Sequence, residues 1–263
     1  MNVSGREVLL TGATGGIGHA IARRLHAAGA RLVLTGRRTD VLEPLAAELG
    51  ARSLAVDLGD REAVDRLLAE CSGVDVLIAN AALPASGALS EFSPEQIDRA
   101  LEVNLRAPMV LARHLSEAMV GRGAGHLVFV SSLSGKAATP GSSVYSATKF
   151  GLRGFGQGLR ADLRGTGVSA SVVFPGFIAG AGMFHDSGTK LPRGVGTSTP
   201  EEVADGVLSA IEQDRGEVDV APAPMRLGAT FAGIAPELSA KIGRRLGSED
   251  ISAQLGAGQA SKR

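Results

Sequence analysis

The chain has no tryptophan, one tyrosine and one cysteine in 263 residues, and its 27 basic and 27 acidic side chains leave no net charge. Each scarcity narrows what it can do. A lone Cys71 forms no internal disulfide, fits a reducing compartment, and without a second Cys or a nearby His offers no zinc site. It reads as a helix residue. Balanced charge leaves no basic stripe for nucleic acid or an anionic membrane. No apolar run approaches the roughly 18 residues of a membrane span. The polar lead over 1–6 passes into an apolar strand too short for a signal-peptide core. A cytoplasmic location follows as the expectation, with a small-molecule substrate as partner, no nucleic acid and no transmembrane segment. In a chain with 36 glycines and 3% aromatic residues, the sole tyrosine, Tyr145, is a candidate for chemistry before bulk.

Short β-rich apolar runs stand at 8–10, 32–34, 53–56, 74–79, 126–130 and 169–174, with a seventh strand at 217–220. Between them lie helical patterns over about 17–28, 40–49, 61–71, 94–121, 143–164 and 200–213. Runs that are apolar along their length belong to strands covered on both faces. The expectation is therefore one α/β domain over 1–221, a doubly wound parallel sheet of about seven strands with helices on both sides. Asp40 with Glu43 and Ser93 with Pro94 read as helix starts. Residues 177–199 are rich in glycine and without period, a long loop of the functional kind, in which His185, Asp186 and Lys190 read as solvated. Beyond Pro222, Leu227, Phe231, Ile234, Leu238, Ile242 and Leu246 recur at three- and four-residue spacing, interrupted by Pro236. The tail, 222–263, reads as two short amphipathic helices packed on the domain or a partner, with a disordered end after about Gly247.

The first strand runs into Thr11-Gly12-Ala13-Thr14-Gly15-Gly16-Ile17-Gly18 and then an alanine-rich helix. Glycines let the backbone turn sharply and approach a pyrophosphate, and the helix behind them offers unpaired N–H groups and a positive dipole end. After the second strand the sequence reads Thr35-Gly36-Arg37-Arg38, so Gly36 stands where a carboxylate would take the ribose hydroxyls of NAD. Two arginines just before a helix start are disfavoured by its dipole, and a 2′-phosphate partner explains them. The expectation is NADP(H) in preference to NAD(H); the alternative is a pair of solvated surface charges.

Tyr145-Ser146-Ala147-Thr148-Lys149 puts a phenol and an ammonium one helical turn apart on one face. At about 5 Å and an effective dielectric of about 20 their attraction is roughly 3 kcal/mol, or about two pKa units. That is expected to draw Tyr145 down towards the working range of a general acid and base.

The glycine spacing at Gly12, Gly16 and Gly18 behind Thr11, followed in order by Asn104, Ser132, Tyr145 and Lys149, resembles the short-chain dehydrogenase/reductase family over about residues 6–220. The resemblance implies a Rossmann-like fold and hydride transfer between a nicotinamide cofactor and a carbonyl or alcohol carbon. It implies that Ser132 polarises the substrate oxygen, that Lys149 also holds the nicotinamide ribose, and that Asn104 holds a water linking the lysine to solvent. It places Asp57, Leu58, Asn80, Ala81 and Ala82 along the adenine and its ribose. Pro175, Gly176 and Ile178 fall by the nicotinamide. Two positions depart from the family pattern: Ala79-Asn80-Ala81-Ala82 replaces Asn-Asn-Ala-Gly, and Gly180 stands where a threonine is common. The family pairs the helix carrying Gly151, Gly154, Gly156 and Gly158 across subunits, which implies a homodimer or homotetramer; close packing on its own sheet is the alternative. The segments 83–88 and 133–138, with Phe177, Ile178, Met183, Phe184 and Leu191, offer a mostly apolar wall, which favours a ketone, aldehyde or secondary alcohol of low polarity. A different class of function, a regulator that senses NADP(H) without turnover, stays open at this point.

Overall fold

The computed structural model describes residues 1–192, 195–245 and 247–262. The apolar runs pair as β1 (Glu7–Leu10), β2 (Arg31–Gly36), β3 (Arg52–Ala55), β4 (Val76–Ala79), β5 (Gly125–Val130), β6 (Val168–Pro175) and β7 (Glu217–Val220). Every neighbour is parallel, in the spatial order β3-β2-β1-β4-β5-β6-β7. The order switches direction between β1 and β4, the place where open α/β sheets hold ligands.

Side chains of alternate residues serve opposite faces, and both faces are covered. Val8 and Leu10 of β1 pack with α1 (Gly16–Ala27), α2 (Thr39–Glu48) and α8 (Pro200–Glu212). Leu9 packs the other way, with α3 (Arg61–Glu70), α5 (Ala107–Arg122) and α6 (Ser143–Asp162). Both sets of positions must therefore be apolar, which is why the strands do not alternate.

The start of α4 (Pro94–Leu101) is set by a reciprocal box in which Ser93 Oγ accepts from Gln96 N and Gln96 Oε1 from Ser93 N. Thr199 and Glu202 cap α8 in the same way. The box expected from Asp40 and Glu43 is not formed. Strand β2 runs on through Gly36, the helix begins at Thr39 with Arg38 as its cap residue, and Asp40 lies inside the first turn, where its charge suits the dipole. Cys71 is the buried cap that ends α3. The single helix expected over 94–121 is interrupted by a π-helical turn, Glu102–Arg106, between α4 and α5. In the loop of 177–199 a short helix α7 (Gly182–Asp186) forms.

The tail folds as α9 (Ala223–Ile234) and α10 (Pro236–Arg245), divided where Pro236 cannot continue a helix. Leu246 lies outside the described residues. Where no order is expected after Gly247, a further helix α11 (Ser248–Gln259) forms, and it packs against α7. No described helix is long and apolar enough to cross a membrane.

His126 at the start of β5 is 2% exposed, its Nε2 lying 2.8 Å from Ser171 Oγ, and burial pushes its pKa from 6.5 down to about 4. An unfolded chain binds a proton here below about pH 6.5, whereas the folded chain does not until about pH 4. Stability from this residue is thus complete above 6.5 and lost as the pH falls towards 4, by about 3 kcal/mol in all. Urea unfolding at neutral pH and near pH 4.5 is expected to show a smaller acid loss for His126→Gln than for the wild type. Equal losses would remove His126 from the account.

Candidate active site

The turn from β1 into α1 is built by tight backbone contacts. Thr11 is buried, and its hydroxyl oxygen accepts from the backbone N–H groups of Asn80 and Ala81, both at 3.1 Å. Asn80 Nδ2 donates back to the carbonyls of Thr11 at 3.0 Å and Gly12 at 3.2 Å. Asn80 therefore ties β4 to the glycine turn. Gly12 has φ +69°, and a Cβ there would stand 2.7 Å from Ala81 Cα. Gly18 lies so close beneath it that a Cβ would meet Gly12 O at 2.2 Å. No side chain caps α1, whose first-turn N–H groups are left for an acceptor from outside the helix.

A cleft of about 600 Å³ runs along this turn. Gly12, Thr14, Gly15, Gly16, Ile17 and Gly18 line one side. Arg37, Arg38, Asp57 and Leu58 close one end, and Asn80, Ala81 and Ala82 line the floor. Arg38 Nη2 donates to the carbonyl of Thr14, whereas Arg37 is exposed and free of ion pairs among the described residues. Asp57 accepts from Arg99 at 2.8 Å and from Gly59 N at 2.9 Å, and despite its burial these bonds hold its carboxyl below the ordinary range.

The fourth wall comes from the loop over 177–199, whose closure on the glycine turn the sequence did not show. Gly180, Ala181, Gly182, Met183, His185 and Asp186 line the same cleft, with His185 and Asp186 exposed to solvent as expected. The approach is close enough that a side chain on Gly16 would begin 2.2 Å from Ala181 Cβ. The glycine density of 177–199 was the available signal. Gly180 has φ +79°, a conformation in which a threonine would be strained, and this accounts for the departure at that position.

Beyond the cleft, β5 is followed by Ser131 and Ser132, against which α6 is pinned. Ser131 Oγ donates to Lys149 O at 3.0 Å, and Lys149 Nζ donates to Val130 O at 3.1 Å. Lys149 Nζ stands 5.5 Å from the Tyr145 ring centroid, and the Ser132 hydroxyl interacts with the phenol. A Cβ on Gly135 would meet Lys149 O at 2.7 Å, so this glycine lets the turn after Ser132 lie against α6.

The electrostatics run against the expectation of a depressed phenol. Burial pushes Tyr145 up to about 12, opposed only by Ser132, and pushes Lys149 down to about 8. Lys149 is 2% exposed and Tyr145 half-buried, and loss of water around the charged form is the leading cause of both shifts. Tyr145 is therefore a neutral hydrogen donor at neutral pH.

Asn104 sits in the π-helical turn, 1% exposed, with Oδ1 accepting from Leu83 N at 2.6 Å and Nδ2 donating to Leu83 O at 2.9 Å. Both ends of its amide are thus engaged with the chain beyond β4, which fixes the side chain against Leu83. The turn itself, a local i to i+5 departure common at functional sites, aims Asn104 at Leu83.

Pro175 and Gly176 end β6 behind this group, outside the cleft lining. Ile178 does not belong to the apolar wall, because its side chain is 3% exposed and packs in the core between the sheet and α8. Of the expected apolar wall, Phe177 and Phe184 pack together with centroids 4.8 Å apart. Lys136 interrupts the wall but points away from it. Its Nζ reaches Asp219 Oδ1 at 2.6 Å and Glu217 Oε2 at 2.9 Å, over the Phe174 ring at 4.1 Å. This pair of contacts holds the turn after Ser132 to β7.

The glycines of α6 serve different ends, and a Cβ on Gly151 would meet Leu105 Cδ2 at 3.1 Å. A Cβ on Gly156 would meet Val172 Cγ2 at 2.5 Å, so this one serves close packing on the sheet. Gly154 and Gly158 face open space.

A family model described as short chain dehydrogenase matches residues 6–191. The chain is 35% identical over 232 residues to ketoacyl reductase HetN of Nostoc sp., covering 85% of this chain and 81% of that one. It is also 35% identical over 255 residues to dehydrogenase/reductase SDR family member 7B of Bos taurus, covering 88% and 78%. A short-chain dehydrogenase from Sphingobium yanoikuyae, solved in complex with NADPH, superposes with a TM-score of 0.78 at 27% identity, covering 89% of this chain and 95% of that one.

Proposed function

Because the chain belongs to the short-chain dehydrogenase/reductase family of nicotinamide-dependent oxidoreductases, we propose that it exchanges hydride between NADP(H) and a carbonyl or secondary alcohol of low polarity. The observation that carries this reading is the meeting of Tyr145, Lys149 and Ser132 in a chain that also presents an uncapped helix N-terminus lining a cleft. The residues suit a dinucleotide: the N–H groups of the first turn of α1 would take the pyrophosphate, Arg37 the 2′-phosphate, with Arg38 beside it bracing the turn through Thr14, and Lys149 would take the nicotinamide ribose. The cofactor supplies or accepts the hydride.

Ser132 holds the substrate oxygen, and Tyr145 donates the proton to it during reduction or accepts one during oxidation. Asn104 is a positioning residue, acting through Leu83 at the cleft wall. The aromatic pair of Phe177 and Phe184 supports an apolar substrate. Assembly as a homodimer or homotetramer through the open face of α6, in a cytoplasmic setting that keeps Cys71 reduced, belongs to the same proposal. Light scattering is expected to show more than one copy, and a monomer at micromolar concentration would contradict that part.

The test of the activity is NADPH oxidation across a panel of apolar ketones and aldehydes. A purified protein that binds NADPH and turns over none of them would favour the regulator.

A further inference from the structure

Exposed apolar side chains are concentrated on the tail. In α9, Leu227, Phe231 and Ile234 are 71, 39 and 79% exposed, and in α10 Leu238 and Ile242 are 52 and 43% exposed. Their spacing places each set along one helical face. These are five of the ten large hydrophobic side chains exposed among the described residues. Scattered exposed apolar residues need no explanation, but a stripe of this kind marks a surface that is covered in use.

Charge identifies the cover. The chain as a whole is neutral, yet residues 223–245 carry Arg226, Lys241, Arg244 and Arg245 against Glu237 alone. Glu249 and Asp250 stand on the following helix, and none of the four cations forms an ion pair among the described residues. Arg226 adjoins Leu227, while Lys241 precedes Ile242 by one residue and Arg245 follows it by three. Their apolar stems flank the stripe while the charged heads can turn outward. A second copy seated by two-fold symmetry would set this cationic surface against itself, which costs free energy.

The inner side of the pair is anchored beside the site. Ala229 is buried in the core, and Met225 Cε lies 3.3 Å from where a Cβ on Gly176 would stand.

We infer that α9 and α10 dock the protein on a bilayer with anionic headgroups, the apolar stripe at the acyl boundary and Arg226, Lys241 and Arg245 among the headgroups. Amphipathic helices of this composition lie in the interface plane, buried by about 5–10 Å. Docking sets the Gly176 end of the site beside the membrane, the compartment in which an apolar substrate collects. That consequence rests on the proposed activity; the docking does not.

The test is sedimentation of the full chain with vesicles of phosphatidylcholine alone or mixed with phosphatidylglycerol, read without turnover. The wild type is expected to pellet with the anionic vesicles, and less with phosphatidylcholine alone or at high salt. Lys241→Gln and Arg245→Gln should each weaken partition about fivefold. Leu227→Ser with Ile234→Ser should weaken it by at least about tenfold, with thermal melting and NADPH binding unchanged because both side chains are exposed. Wild-type protein left in the supernatant, or binding undiminished by the two serines, overturns the inference. So does a dimer that the same two serines convert to a monomer, since the stripe would then be covered by a second copy.

Discussion

Replacing Tyr145 with phenylalanine is expected to lower turnover by about 10²- to 10⁴-fold while NADPH still binds, because the proton donor is the only group removed. The ring, its packing and the contact with Lys149 stay, so folding survives. Direction matters here. With its pKa raised to about 12, the phenol is protonated throughout the neutral range and available to reduction at every such pH. Oxidation needs the phenolate, so its rate should rise with pH across that range, whereas reduction should stay level. Lys149, itself depressed to about 8, is an ammonium below that pH and favours the phenolate only there. Steady-state rates in both directions from pH 6 to 9 read all of this. Retained turnover in the Tyr145→Phe protein would remove Tyr145 from the chemistry.

Arg37→Ala is expected to weaken NADPH binding by about ten- to a hundredfold and to leave NADH binding unchanged, since a charge-assisted pair to phosphate is worth roughly 1.5–3 kcal/mol. Arg38→Ala should behave differently. Arg38 donates to the carbonyl of Thr14, so its loss loosens the glycine turn and weakens both cofactors. Asp57 stands at the same end but is paired with Arg99, which mutes its repulsion of a 2′-phosphate. Adding a repelling carboxylate as Gly36→Asp carries a second effect, because its Cβ would lie 2.6 Å from Thr14 Cγ2 and force that side chain to move. The single Arg37 variant is thus the cleaner measurement. Titration of both reduced cofactors by fluorescence at fixed salt decides it; wild-type protein that binds NADH as tightly as NADPH would make Arg37 a surface charge.

The misreadings of the sequence share a cause. The Ile178 side chain was expected in an apolar wall, but the segment after β6 bridges to Ser198 and the side chain is buried in the core. The loop over 177–199 was legible as functional from its glycines; that it closes on Gly16 was not, because the contact joins residues 165 apart in sequence. Net charge was misleading for a similar reason. A neutral total says nothing of where the charges sit, and the cations of 223–245 gather on one exposed pair of helices.

Alone, the sequence determined the parallel order of strand and helix, the glycine turn, and the shared face of Tyr145 and Lys149. These rest on periods of two and 3.6 residues and on spacings of a few residues, which the backbone enforces wherever the element packs. Only the tertiary structure decided that Asn104 spends its amide on Leu83, that Lys136 turns to β7, and that the phenol is raised instead of lowered. Each depends on what lies around the group from distant parts of the chain. The attraction between Tyr145 and Lys149 is local and could be reckoned from their spacing; how much water each loses is set by β5, α6 and the turn after Ser132, and that loss leads both shifts.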